Sequence, residues 1–308
     1  MFLRKVALAF CVVGAISAVA HGQVSLQRKF KEGSTRTVDV TTNLDQTLVF
    51  GGMNSEVSSE TRLVVTSNYG TRDSAGQLRI DETINSMQVN TKIMGSEYAF
   101  DSANPDSAGS SLLEILRPIH KAISGRKTTT VYDKNNAIVS IDFDQSVLNN
   151  VPEGARALVA GQFDPEQMKR AASEESQRLP SGPVKKGDTW ERTSKLNLSA
   201  GQIMTSSTNY TYEGEVEKDG KKLDKITFKT TAVEFGLENS TLPFTVKSSD
   251  LKPVESKGEI WFDREAGEVL EQTAMVRIKG NIMFAMNDKE IPAELDLKME
   301  SSLKPKAQ

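Results

Sequence analysis

Apolar and polar residues alternate with a period of two over much of this chain, which is the pattern of half-buried β-strands. The clearest run extends from Leu270 to Met286, where apolar even positions alternate with odd positions such as Arg277 and Lys279. Residues 291–299 alternate in the same way after a turn-forming Asn-Asp pair. These patterns predict long antiparallel strands that bury one face and expose the other.

Short polar or glycine-containing segments separate several pairs of these runs and predict β-hairpins. The four turn segments are Asp73–Gly76, Asp133–Asn136, Asp219-Gly220 and Asp263–Gly267. The alternation also slips phase near Asn85 and again between Phe228 and Val233. A phase slip within a long strand indicates a β-bulge, and bulged long strands are typical of strongly curved sheets.

The middle of the chain breaks the period-two pattern and predicts helices. Ser111 and Glu114 form a capping-box pattern before an apolar stripe with helical spacing, which predicts a helix near 111–124 that Pro118 limits or kinks. Asp164 followed by Pro165 predicts the start of a second helix, which continues to about Arg178.

Two sequence features occur twice in the same order. A Lys-Gly turn precedes a long strand at residues 30–35 and at 184–190, and an aromatic-Asp hairpin follows at 131–134 and at 261–264. We therefore expect a mainly β (α+β) fold: curved antiparallel sheets in two related halves, with two or three helices in the middle. The halves are residues 23–143 and 184–308, and 144–183 form a helical connector. The alternative is that unrelated β-hairpins reuse the same turn chemistry.

The first 22 residues have the pattern of an export signal. Arg4 and Lys5 precede an apolar run from Val6 to Ala20, and small residues provide cleavage sites at Ala20 or Gly22. We expect the signal to be cleaved and the protein to be periplasmic or secreted in a bacterium. The only cysteine lies within this segment, so the mature chain is expected to have no disulfide and no thiolate site.

Charge and motif content exclude several classes of function. The chain has a net charge of −3, and removing Arg4 and Lys5 makes it −5, which argues against a nucleic-acid partner. His120 is the only histidine that remains after either cleavage, since His21 is kept only if cleavage follows Ala20, and we expect His120 to be a partly exposed helix residue. Asp142 and Asp144 form the one closely spaced carboxylate pair considered for hydrolysis or Ca²⁺ binding; a solvated strand end is the simpler interpretation. We expect no cofactor, no metal and no enzymatic activity.

Two short motifs support a family resemblance. The segment Val184–Trp190 reads Val-Lys-x-Gly-Asp-x-Trp, and Gly258–Asp263 forms an aromatic strand near the end. With these motifs the chain resembles a group of uncharacterised exported bacterial proteins, over the region from about Leu179 to the C-terminus. That resemblance implies no catalytic residues. In architecture alone, the expected arrangement resembles the periplasmic lipoprotein-carrier fold, in which a curved sheet holds acyl chains.

These observations predict an exported, non-enzymatic cell-envelope protein that binds a lipophilic or polymeric ligand on a concave sheet face. The alternatives are a structural or protein-interaction module of the envelope and, less favoured, a carboxylate-dependent hydrolase. The expected partners are a lipid, an envelope polymer or another envelope protein. The candidate ligand-binding residues are Leu112, Leu116, Ile119, Trp190, Trp261, Val276, Ile278 and Phe284. The two tryptophans also suit a simpler role as large core residues.

Overall fold

A computed structural model describes residues 22–306, except 108, 110, 154–155, 157–162, 198–200, 239, 241 and 288. Residues 1–21 of the expected export signal therefore lie outside the described residues. Within these residues the chain forms twelve strands and two α-helices. The strands are β1 Thr35–Phe50, β2 Met53–Tyr69, β3 Leu78–Ile93, β4 Ser96–Asp101, β5 Lys127–Tyr132, β6 Ile138–Phe143, β7 Thr189–Asn197, β8 Gln202–Lys218, β9 Lys221–Leu237, β10 Thr245–Asp263, β11 Glu268–Met286 and β12 Lys289–Pro305. The helices are α1 Arg117–Ile123 and α2 Pro165–Ser176, with 3₁₀ helices at Leu112–Leu116 and Gln145–Asn150.

All the strands join one antiparallel sheet, in the order β6-β5-β3-β2-β1-β12-β11-β10-β9-β8-β7, and β4 pairs with the second part of β3. The N-terminal and C-terminal strands meet where β1 pairs with β12, from Val38 opposite Pro305 to Phe50 opposite Ala293. The expected β class is confirmed, but the strands of the two halves form one sheet rather than separate sheets.

The sheet curls so that its two ends approach the same helix. Strands β6 and β7 lie at opposite ends of the strand order, yet α2 contacts both of them. Bulges contribute to this curvature. Val64 pairs with Ser86 whereas Val65 pairs with Ile84, so Asn85 is left without a partner, as the phase slip predicted. A second register shift leaves Thr231 of β9 without a partner, also inside the predicted interval.

The inner face of the sheet carries most of the apolar side chains. One cluster includes Ile278, Ile282 and Phe284 of β11 together with side chains of β8, β9, β10 and β12. A second apolar region, on β3 and β4, is covered by the helical segment around α1. The remaining part of the inner face, on β1, β2, β3, β5 and β6, lies opposite α2.

The predicted first helix is divided. Ser111 accepts a hydrogen bond from the Leu113 N–H and starts a 3₁₀ helix, and α1 begins only at Arg117, with Pro118 in its first turn. Because a proline lacks the N–H that an α-helix needs after its first turn, the continuous α-helix cannot begin earlier. Gly125, with φ of 74°, follows the end of α1 as predicted.

The two Lys-Gly turns have the same hydrogen-bond geometry. The Gly33 N–H donates to the Tyr69 carbonyl oxygen at 2.9 Å, and the Gly187 N–H donates to the Tyr212 carbonyl oxygen at 2.8 Å. In both cases the tyrosine N–H donates to the carbonyl oxygen of the residue after the glycine, at 2.9 and 3.0 Å respectively. This equivalence is local, and the relation between the two halves stays a prediction.

Candidate ligand-binding cavity

A cavity of about 860 Å³ lies between the inner face of the sheet and helix α2. Its floor comes from β1, β2, β3, β5 and β6, and its far wall comes from β11, β12 and β7. The lining thus includes strands from both halves of the chain, which the curl of the sheet brings together.

Cross-strand neighbours form the floor in rows. One apolar row consists of Val38, Val65 and Ile84, which are paired in that order across three strands. Another row consists of Tyr69, Ile80, Thr130 and Ile141. Between these two rows lies a polar row of Arg36, Ser67, Glu82 and Thr128. Several of the apolar residues, Val38 and Val65 among them, are only half-buried, because the helix above them does not fill the space.

Helix α2 forms the roof of the cavity. Its start follows from its sequence, since Asp164 accepts a hydrogen bond from the Gln167 N–H at 2.9 Å and Pro165 occupies the first turn. Met168, Ala171 and Ala172 line the cavity from this helix. The predicted second helix is therefore confirmed, and the structure places it over the sheet.

An N-terminal segment, residues 24–30, closes one end of the cavity. It forms a bridge with Val184, buries Leu26, and donates from the Lys29 N–H to the Gly267 carbonyl oxygen at 2.8 Å. Gly267 has φ of 70°, and a Cβ there would lie 2.6 Å from the Lys29 nitrogen. The close approach of this segment therefore requires glycine at that position.

Aromatic rings cap the cavity beside this segment. The Phe30 ring lies 4.7 Å from the Tyr132 ring and 6.0 Å from the Tyr69 ring, measured between centroids. Burial raises the pKa of Tyr132 to about 12, and burial also raises the pKa of Tyr69. Both phenols therefore stay protonated near neutral pH and present hydroxyl groups rather than charges.

Basic side chains outnumber acidic side chains in the lining of the cavity. Six basic and three acidic side chains line the cavity, although the whole chain has a net charge of −3. The basic residues are Arg28, Lys29, Arg36, Arg126, Arg170 and Lys195, and the acidic residues are Glu82, Glu175 and Glu268. The cavity thus combines apolar rows on its floor with a mainly basic rim.

A larger space, of about 1000 Å³, lies along β4 but has a different character. It is an open groove, and most of its lining consists of amide, hydroxyl and carboxylate side chains. Arg117 at its base is buried, donates to Glu114, and lies over the Tyr98 ring. We favour the cavity under α2 as the ligand site because, of the two spaces, it is the one that combines many apolar side chains with a helical cover.

None of the eight sequence-predicted ligand residues lines the cavity under α2. Val276, Ile278 and Phe284 pack in the cluster on β11, whereas Leu116 and Ile119 pack against β6 and the second 3₁₀ helix. Leu112 is 91% exposed, because the 3₁₀ helix turns it out of the predicted apolar stripe. The two tryptophans lie outside both of these clusters.

The tryptophans have different surroundings. Trp190 stacks on Tyr210 with ring centroids 5.6 Å apart and donates to the Arg178 carbonyl oxygen, so it packs as a core residue. Trp261 lies between two lysines, with the Lys218 and Lys225 nitrogens 4.5 and 5.0 Å from its ring centroid. The structure therefore does not bring these residues together with the predicted residues of α1 and β11.

The other residues considered for chemistry have structural roles. The His120 Nδ1 lies 2.7 Å from the Tyr98 hydroxyl, and burial, with Arg117 as a second cause, lowers the pKa of His120 to about 4. Because the imidazole is neutral and burial raises the pKa of Tyr98, both groups take part in this hydrogen bond without charge, and the His120 tautomer sets which of them donates. Asp144 caps the 3₁₀ helix that follows it by accepting from the Ser146 N–H, and Asp142 is exposed.

Sequence reasoning missed the cavity because its floor mixes residue types. Val38, Val65 and Ile84 alternate with polar residues, but Arg36, Ser67 and Glu82 have the same parity and interrupt the apolar pattern. The one sequence feature that pointed to this region was an aromatic residue, Phe30, directly before the turn at 31–34 and the first long strand. It gave no indication that residues 24–30 cross to the other half of the chain.

Residues 75–221 match the model of a family of unknown function, DUF6263. This match agrees with the expectation that the chain resembles an uncharacterised family, and it includes the Val184–Trp190 motif but not the Gly258–Asp263 strand. No curated protein matches the chain. Among the described residues, no helix has the length and hydropathy needed to cross a membrane.

Solved structures show only weak likenesses. A lipovitellin structure described for its lipid–protein interactions aligns with a TM-score of 0.46 and 8% identity over 91% of this chain. The chain spans 26% of that lipovitellin chain. DynF of the dynemicin pathway of Micromonospora chersina has a TM-score of 0.21 and 7% identity, covering 94% of this chain and 88% of its own. OpdQ of Pseudomonas aeruginosa has a TM-score of 0.24 and 8% identity, and the alignment covers 88% of this chain and 99% of OpdQ. At these TM-scores the likenesses decide neither fold nor function.

Proposed function

We propose that this protein is an exported, non-enzymatic binding protein of the cell envelope that holds a lipophilic ligand in the cavity under α2. The observation that carries the proposal is the incompletely filled apolar floor beneath a helical cover. Its volume of about 860 Å³ falls within the range of small-molecule sites, roughly 300 to 1,000 Å³. Leaving apolar side chains in contact with water is unfavourable, so an apolar ligand gains free energy by covering them.

The position of the N-terminal segment supports the export part of the proposal. Val24 already pairs with Val184, only two residues after the second cleavage position of the proposed signal. Cleavage at either position would leave this segment intact and free to close the cavity. The N-terminal sequence of the protein from the envelope fraction of its host tests this point.

The non-enzymatic part of the proposal rests on what the carboxylate pair does. Asp144 is engaged as a helix cap, and Asp142 on β6 is exposed. The equivalent Lys-Gly turns favour two related halves within the single sheet.

A structural module of the envelope remains the alternative that the ligand experiment separates from our proposal.

The first experiment is native mass spectrometry of the mature protein purified from its host envelope, followed by organic extraction. We expect a defined additional mass that extracts as a lipophilic molecule. A bare chain mass, together with no binding of a fluorescent acyl probe to the purified protein, would contradict the proposal and favour the structural module.

A matched pair of variants locates the binding site. Ala172 lines the cavity and Glu166 on the same helix is exposed and outside the lining, so Ala172→Trp fills the cavity whereas Glu166→Trp does not. We expect Ala172→Trp to lose the acyl probe and Glu166→Trp to retain it, with thermal unfolding confirming that both variants fold. Equal binding by both variants would place the ligand elsewhere.

A further inference from the structure

The basic residues of the cavity differ in how far they are neutralised. Arg36 lies 3.5 Å from the Glu268 carboxylate and Lys195 lies 2.6 Å from Glu238, so these two have acidic partners. The Glu175 carboxylate is engaged by Arg178 at 2.6 Å, outside the lining.

The other four basic residues have no carboxylate partner among the residues that the structure describes. They are Arg28, Lys29, Arg126 and Arg170. Lys29 donates to the carbonyl oxygens of Arg264 and Glu265, and Arg170 donates to the Gln167 side chain. Glu82 is the one lining carboxylate without a cationic partner within the described chain, and it accepts a hydrogen bond from Ser67 at 3.0 Å.

This excess of positive charge is local. It occurs in a chain with a net charge of −3, and it lies beside apolar walls that lower the local dielectric and strengthen electrostatic interactions. Arg28 is also half-buried, so it has lost part of its hydration without gaining a counter-charge from the described residues, whereas Arg170 interacts with the Glu238 carboxylate at longer range. A ligand with an anionic group supplies that counter-charge.

We infer that the ligand is an anionic amphiphile, with its apolar tail on the Val38, Val65 and Ile84 floor and its acidic head at Arg28, in the segment that closes one end of the cavity. This inference rests on the proposed function and adds the chemical class of the ligand. Guanidinium groups bind carboxylate and phosphate oxygens through paired hydrogen bonds, so both head groups share the required chemistry.

The test compares ligands that share a tail and differ in head group. The delipidated full-length mature protein is titrated with palmitate, palmitoyl lysophosphatidate, monopalmitoylglycerol and hexadecyltrimethylammonium, in competition with a fluorescent acyl probe. We expect the two anions to bind roughly tenfold more tightly than the uncharged glycerol ester, and the cation to bind most weakly. The ratio of the two anions then identifies carboxylate or phosphate as the preferred head group.

Variants assign the preference to the rim. The variant Arg28→Gln should bind the anions roughly tenfold more weakly and the glycerol ester with unchanged affinity. Lys195→Gln is the control, because it removes a lining charge that Glu238 already neutralises. Thermal unfolding verifies that the variants fold. The head-group comparison uses the unmodified protein and therefore does not depend on the folding of any variant.

The outcomes separate the two proposals. Equal affinity of the anions and the glycerol ester, or tighter binding of the cation, overturns the anionic class but leaves the lipophilic cavity in place. Failure of all four ligands to bind overturns the proposed function and this inference together.

Discussion

Replacing His120 by asparagine should remove a large part of the acid sensitivity of this protein. Burial and the Arg117 charge lower the pKa of His120 from its usual 6.5 to about 4. The unfolded chain therefore takes up a proton on this residue at a higher pH than the folded chain does. The stability associated with neutral His120 is fully present above about pH 6.5 and is lost as the pH falls toward 4.

The magnitude follows from these two pKa values. Between about pH 7.5 and about pH 5, the difference in proton binding lowers the free energy of unfolding by about 2 kcal/mol. Asparagine cannot titrate, and its side-chain amide can form a hydrogen bond with the Tyr98 hydroxyl in place of Nδ1, which lies 2.7 Å from that hydroxyl. His120→Asn should therefore lose about 2 kcal/mol less over the same interval.

The assay is denaturant unfolding at several pH values between these limits, for the unmodified protein and for His120→Asn. Carboxylates contribute equally to both proteins, and the variant therefore isolates the imidazole. NMR gives a direct check, because His120 is the only histidine after residue 21. Parallel pH profiles for the two proteins, or a measured His120 pKa near 6.5, would refute this account of the site.

Substitutions at three further positions test other parts of the fold. Asp224→Asn should lower the free energy of unfolding by about 3 kcal/mol, because Asp224 is 2% exposed and accepts from Tyr212 and Arg264; denaturant unfolding measures this, and a change below about 1 kcal/mol would contradict it. Asp164→Ala should cost about 1 kcal/mol through loss of the α2 cap, and Asp164→Ser should recover most of it in the same assay. Gly267→Ala should displace the N-terminal segment and speed proteolysis there; an unchanged cleavage rate would argue against the close contact.

Local features of this protein were readable from its sequence because each depends on neighbouring residues. The strand from Leu270 to Met286 is present as β11, and the hairpin at Asp219-Gly220 joins β8 to β9. The slip at Asn85 is a bulge, and Asp164 with Pro165 starts α2. Alternation, turn chemistry and capping act within a few residues and leave a direct trace in the sequence.

The predicted first helix and the predicted ligand residues show where local patterns mislead. The stripe from Leu112 to Ile123 has helical spacing, but Pro118 delays the α-helix and leaves Leu112 in a 3₁₀ turn that faces solvent. Helical spacing predicts a shared face only when one regular helix covers the whole stripe. Likewise, Val276, Ile278 and Phe284 of β11 are core residues and not part of the cavity, because side chains of other strands cover them.

The sequence by itself determined the β class of the fold, most hairpins, the bulges and the start of α2. Only the tertiary structure decided that β1 pairs with β12, that α2 lies between β6 and β7, and that residues 24–30 close a cavity with a basic rim. Alternation specifies which face of a strand is buried but not which distant strand lies beside it. Partners far apart in the chain are selected by the packing of the whole sheet, which no short segment encodes.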